Sequence, residues 1–287
     1  MSQPFLPFRS RVPVLLALTC VWAVACQEYA LKLDGKDPKK QDDSGSSIVD
    51  TSTGDTAQDS AHDTGTVVVP DTGDTGTVAT ASVYLNTSDT LFAYDPSTNT
   101  ASRIGNFTLG GTPFSGMTDI AIDLSGYMFG GTSSSLYAIN PSTAECTFVA
   151  RLADSMIGLT FVSDGRLVGA GSRVSFVDTS TGALTQLVPS GRYSTSGDII
   201  GLPDGMLYWT VSGGDDLVRV DPGTGATTRV GSIGTSGLYG LGYADGVLMG
   251  FADSGRRIDI DASTARSSNS EPLPGSWWGA TTNPVLW

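Results

Sequence analysis

The stretch from Leu159 to Val188 reads LTFVSDGRLVGAGSRVSFVDTSTGALTQLV, four short apolar runs separated by turn residues. Leu159-Thr160-Phe161-Val162 and Leu167-Val168-Gly169 flank Asp164-Gly165, and Asp-Gly between two such runs is the strongest short hairpin signal. The third run, Val174-Ser175-Phe176-Val177, leads into Asp178-Thr179-Ser180-Thr181, and Leu184-Thr185-Gln186-Leu187-Val188 follows. An Asp at the head of such a turn bonds backbone two residues on, and Gly182 tolerates the positive φ at which a strand restarts. The stretch predicts four consecutive antiparallel strands.

This unit recurs. A turn of the form [Asp/Asn]-x-[Ser/Gly]-Thr begins at Asp95, Asn140, Asp178, Asp221 and Asp261, at spacings of 45, 38, 43 and 40 residues. The inner hairpin recurs at Asp204-Gly205 and Asp245-Gly246, with Leu124-Ser125-Gly126 as a weaker copy. A period of about forty residues with several strands per unit, and without a 3.6-residue apolar pattern, predicts an all-β fold, a β-propeller of five four-stranded blades.

The register also predicts how the ring closes. Ser82-Val83-Tyr84-Leu85 followed by Leu91-Phe92-Ala93-Tyr94-Asp95 matches Gly126-Tyr127-Met128-Phe129 followed by Leu136-Tyr137-Ala138-Ile139-Asn140, so the domain begins on a second strand. At the other end Trp278-Gly279-Ala280-Thr281 matches Tyr239-Gly240-Leu241-Gly242 and supplies the missing inner strand. Both ends of the chain then complete one blade, a closure that removes an exposed sheet edge. The strand pattern over 81–287 resembles the NHL-repeat and gluconolactonase-like propellers, which usually have six blades. The resemblance implies a fold and no activity.

Composition narrows the partners. Sixteen Lys and Arg against 29 Asp and Glu give a formal charge of -13, and no basic stripe interrupts it, which excludes a nucleic-acid binder. Much of that charge lies between Gln27 and Thr80, where eleven acidic residues meet four lysines and no aromatic residue follows Tyr29. Residues 26–80 are expected to form a disordered spacer, since they offer too little apolar surface to offset the entropy of ordering. The triplets at Asp63, Asp71 and Asp74 lack the alternating ligand spacing of a calcium loop, and the one histidine, His62, stands here, outside the domain.

Ahead of the spacer, Arg9 and Arg11 precede an apolar stretch from Val12 to Ala25 that suits a secretory leader and is too short for a membrane-spanning helix of about 20 residues. Ala23-Val24-Ala25-Cys26 resembles the lipobox of bacterial lipoproteins. That resemblance implies a signal peptide over 1–25, a lipid on Cys26 and, since Gln27 is not Asp, an outer-membrane destination facing the periplasm or the surface; ordinary cleavage and secretion is the other outcome. Cys146, the cysteine left in the domain, alternates with Phe148 and Ala150 and is expected to be a buried, inert thiol.

In the predicted ring, the loops leading into the inner strands converge on one channel mouth. They carry Asp119 and Asp198, each seven residues before the Gly of its hairpin, together with Met156, Tyr239, Trp277 and Trp278. Two carboxylates ringed by aromatics suit a sugar or a cation; the other reading is that Asp119 and Asp198 bond local loop backbone and the tryptophans plug the channel. Glu145 and Glu271 fall near outer strands, and the Glu/Asn/Asp metal set implied by the gluconolactonase-like resemblance is not found, so neither metal nor cofactor is expected. Three readings follow: a lipid-anchored envelope binding or scaffold module, monomeric, for a protein or glycan; a propeller-type hydrolase or lyase using Asp119 and Asp198; and a structural envelope protein without a small ligand.

Overall fold

The computed structural model describes residues 77–213 and 215–286. The expectations for the signal peptide, for Cys26, and for the spacer with His62 and its Asp-Thr-Gly triplets lie outside them. Five sheets carry the domain. The first blade joins β22 (Gly279–Thr282) to β1 (Val83–Asn86), β2 (Thr90–Asp95) and β3 (Thr100–Asn106), in that order from the inside out. The second contains β6 (Asp119–Ile122), β7 (Met128–Gly131), β8 (Ser135–Ile139) and β9 (Glu145–Arg151). The third contains β10 (Gly158–Phe161), β11 (Leu167–Ala170), β12 (Val174–Val177) and β13 (Leu184–Val188), and the fourth β14 (Thr195–Gly201), β15 (Leu207–Val211), β16 (Asp216–Val220) and β17 (Thr227–Ser232). The fifth contains β18 (Leu238–Ala244), β19 (Val247–Ala252), β20 (Arg256–Ile260) and β21 (Ser267–Pro272).

The inner strands close a ring: β22 packs on β6, β6 on β10, β10 on β14, β14 on β18, and β18 back on β22. This is a five-bladed β-propeller. Its closure follows the expected register, with Leu85 opposite Ala280 and Asn86 opposite Gly279. Hydrophobic burial is arranged blade against blade. Phe251, Met249, Leu85 and Trp277, for example, fill the seam between the fifth and first blades, and four comparable clusters fill the others.

The repeated turns form as their residues dictate. Asp95, Asp178, Asp221 and Asp261 accept a backbone N–H two residues on at 2.8–2.9 Å, and Asn140 does so for Ser142. Gly182 takes the positive φ foreseen for it, and the residues at the same place in the other four turns, Asn99, Gly225, Ala144 and Ala265, take it as well, the two alanines at 64° and 62°.

Three local features depart from expectation. The folded chain starts before residue 81: Ala79 is buried, its N–H donates to the Gly126 carbonyl and its carbonyl accepts from Asn283 Nδ2. Thr108–Leu109 (β4) and Thr112–Pro113 (β5) form a miniature hairpin that adds to the outer edge of the second blade, β4 running parallel to β9. A bulge in β9, between the partners of Leu136 and Tyr137, breaks its alternation. Cys146 is buried as foreseen and its thiol is pushed up to about 12 by desolvation, whereas Phe148 is turned outward.

Candidate functional site

Each inner strand opens with the same short pattern, and the period-2 alternation of a strand assigns its residues to different surroundings. Met117, Met156, Leu238 and Trp277 share the first position, and all four are buried between strands. A side chain on Gly130 or Gly169 would collide with Met117 or Met156, so these glycines make room for the methionines. Trp277 donates its indole N–H to the Leu273 carbonyl at 2.9 Å and packs edge-on to Phe92. Met156 and Trp277 are core residues.

The next position holds Thr118, Ile157, Gly197, Tyr239 and Trp278. Here the side chains reach the mouth: Ile157 is 41% exposed and Trp278 40%, with Tyr239 half-buried. Sequence reasoning named Tyr239 and Trp278 but not Ile157, although Ile157 precedes Gly158 as Trp278 precedes Gly279.

The third position forms a tier of Asp119, Gly158, Asp198, Gly240 and Gly279. Its glycines permit close approach of neighbouring inner strands: a Cβ on Gly158 would stand 3.0 Å from Ile199 N, and one on Gly240 3.0 Å from Ala280 N. Asp119 and Asp198 do come together, but inside the channel, where both are fully buried, and not at its rim.

The two carboxyls are neighbours in the channel and are held differently. Asp198 accepts the N–H of Ile199 and that of Leu241, in the next blade, both at 2.5 Å, and the Ala280 N–H also points to it. Asp119 Oδ2 accepts the Leu159 N–H at 2.6 Å, but Asp119 Oδ1 receives no N–H or O–H. Burial raises both groups above the ordinary carboxylate range; Asp119 is driven well above it, by desolvation first and then by the charge of Asp198, while Asp198 rises to about 7. One proton on the pair relieves the repulsion, and Asp119 is the member that carries it, since it is driven higher and keeps an oxygen that no N–H reaches. Asn86 Oδ1 is also buried without a donor and faces the same space above Gly279 as Asp119 Oδ1.

Such side chains tie every seam of the ring. Asp119 links the second blade to the third and Asp198 the fourth to the fifth. Thr160 Oγ1 accepts the Gly201 N–H at 2.9 Å between the third and fourth, Thr282 Oγ1 the Tyr243 N–H at 2.6 Å between the first and fifth, and Asn86 Nδ2 donates to the Met117 carbonyl at 3.4 Å. Among the described residues no three His, Cys, Asp or Glu gather to hold a metal ion, and Glu145 and Glu271 lie exposed on outer strands. At the other end of the channel lies a cavity of about 250 Å³ bounded by residues that include Ile122, Phe161, Ile200, Thr281 and Pro284.

The fold and this interior define a five-bladed propeller whose channel is crossed by a buried carboxyl pair, with an apolar rim above and a cavity below. Its sequence matches no protein-family profile and no curated protein. Among solved structures it is similar to a chain of a nidogen/laminin complex (13% identity over 70% of this chain and 82% of that one, TM-score 0.47). It is also similar to virginiamycin B lyase from Staphylococcus aureus (14% identity over 69% of each chain, TM-score 0.45).

Proposed function

We propose that the chain is a binding module that presents a β-propeller to a protein or glycan partner at the cell envelope, tethered to the membrane through a lipid on Cys26. The observation that carries this reading is the apolar rim of Ile157, Tyr239 and Trp278. These side chains are held outward by inner strands whose alternate residues are locked in the core. Tryptophan and tyrosine dominate binding energy at interfaces, since they combine large apolar area with few rotatable bonds. The carboxyl pair below the rim supports binding over hydrolysis, because both groups already accept backbone N–H groups and neither is exposed.

The test uses full-length protein, an envelope-protein extract and a glycan panel. Trp278→Ala is expected to lower affinity at least about tenfold, the loss typical of a hot-spot residue. Phe148→Ser, on an outer strand, is expected to leave affinity unchanged. Absence of saturable binding, or binding indifferent to Trp278→Ala, would overturn the proposal. Turnover abolished by both Asp119→Asn and Asp198→Asn would favour the hydrolase or lyase instead.

A further inference from the structure

The cavity where the inner strands finish, at the opposite end of the channel from the aromatic rim, combines a hydroxyl-bearing floor with an apolar wall. Thr160, Ile200 and Thr281 are its buried floor, and Leu124, Ser163 and Pro203, all exposed, mark the opening. Ile122, Phe161 and Val162 stand between them. The volume of about 250 Å³ exceeds the roughly 150 Å³ that holds a benzene ring in an apolar cavity, so one ring with a substituent fits.

The hydroxyls of this cavity keep hydrogen-bonding capacity that the fold leaves free. Thr160 Oγ1 accepts the Gly201 N–H and Thr282 Oγ1 the Tyr243 N–H, and each oxygen retains a second lone pair. Among the described residues no N–H or O–H reaches the side-chain oxygen of Thr281 or of Ser163, and the Thr281 proton has only the Thr282 carbonyl, at a marginal 3.5 Å. Among the same residues no ionisable side chain lines the cavity. The aspartates of the adjoining hairpins are engaged in their own turns: Asp123 accepts the N–H groups of Ser125 and Tyr127, Asp164 is paired with Arg166, and Asp204 accepts the Met206 N–H and the Tyr208 hydroxyl.

Such a surface selects by charge and by the number of polar groups a ligand carries. An ion would lose its hydration with no opposite charge to meet it. A polyol such as a hexose would turn several hydroxyls onto Ile122, Phe161, Val162 and Ile200, where they find no partner. A bare hydrocarbon would displace water from the floor hydroxyls and replace none of its hydrogen bonds. We propose that the cavity binds a small neutral alcohol with one hydrocarbon ring: its hydroxyl donates to Thr281 Oγ1 on the floor, and its ring fills the wall of Ile122, Phe161 and Ile200. The propeller then has two binding ends of different chemistry, a broad aromatic mouth and a compact pocket for a small molecule.

The experiment follows the backbone amide NMR signals of the full-length protein during titration with cyclohexanol. Signals of Phe161, Gly201 and Thr282 are expected to shift saturably in the millimolar range, and those of Ile157 and Trp278 to stay in place. Cyclohexylammonium, cyclohexanecarboxylate and glucose are expected to bind at least about tenfold more weakly. Thr281→Val keeps the side-chain shape and removes the acceptor, for an expected loss of about fivefold in cyclohexanol affinity. The ligand series on the unaltered protein decides the matter if this variant fails to fold. Shifts that do not saturate, shifts at both mouths, equal affinity across the series, or a folded Thr281→Val protein that binds cyclohexanol as tightly as wild type would overturn the proposal. Trp278 and its partner play no part in these readouts, so the two proposals fail separately.

Discussion

The seam between the second and third blades and the seam between the fourth and fifth are built alike and held in different states. In each, an aspartate of an inner strand accepts a backbone N–H from the next blade. Asp198 has both oxygens occupied by N–H donors, whereas Asp119 keeps one oxygen without any. Two equivalent positions in a repeat thus divide one proton unequally, and the neighbours decide which carries it. The lesson is that a buried acidic pair can serve as a joint between repeats as readily as it can serve as a reaction centre.

The largest expected effect breaks this asymmetry. In Asp198→Asn the amide NH2 confronts N–H donors and leaves a buried backbone N–H unpaired, a loss of about 1–3 kcal/mol for each group left unsatisfied. In Asp119→Asn the oxygen keeps the Leu159 N–H and the NH2 reproduces the donor role of the protonated acid, so stability near pH 5 is expected within about 1 kcal/mol of wild type. Urea unfolding of both variants measures the difference. Equal destabilisation would refute the assignment of the proton to Asp119.

A pH series sharpens the same comparison. Both folded-state pKa values lie above the ordinary carboxylate value of 3.8, so the native state holds the extra proton and the stability linked to it is fully present below about pH 4. That contribution declines as pH rises through the raised range of the pair, and the carboxylates of the surface turns, lowered by their hydroxyl and N–H donors, contribute the opposite slope below pH 4. Melting temperature is expected to fall between pH 5 and pH 8 in wild type and to fall less in Asp119→Asn. An equally steep fall in the variant would show that the pair does not titrate as a unit.

What the sequence revealed follows the same division between local and closed-ring effects. The turns were legible because Asp-Pro-Ser-Thr and Asp-Gly act through backbone within a few residues, and closure was legible because strand register repeats. The hairpin at Thr108–Pro113 escaped notice because its strands have two residues each, although Gly110-Gly111 between them was a usable signal. Trp277 and Trp278 were grouped as one site, but strand parity separates them, one in the core and one at the mouth. The depth of Asp119 and Asp198 was not legible: it arises only when five inner strands meet and three glycines bring their backbones together.

The threonine seams offer a milder contrast to the aspartate seams. Thr160→Val and Thr282→Val keep shape but remove the acceptor from the Gly201 and Tyr243 N–H groups, for an expected loss of about 1–2 kcal/mol each, with no change in pH dependence. A pH-dependent effect from either variant would mean that the threonines couple to the carboxyl pair, contrary to their separate bonding.

The smallest expected effect concerns the repeated turns, where two blades use alanine for a conformation that two others give to glycine and one to Asn99. Ala265 has φ 62° and is fully buried, so Ala265→Gly relieves left-handed strain of about 1 kcal/mol while giving up the burial of one methyl group and adding chain entropy to the unfolded state. These contributions oppose each other and are similar in size, so the net change is expected to stay within about 0.5 kcal/mol, against several times that at Asp198. Gly225, at φ 73° in the preceding blade, gives the reverse test: the Leu187 carbonyl lies 2.3 Å from where its Cβ would stand, so Gly225→Ala meets both strain and collision. Its destabilisation should exceed that of Ala265→Gly by more than about 1 kcal/mol in the same unfolding assay. Parity between them would mean that the turn relaxes freely and that blade packing, not φ, decides which residue stands there.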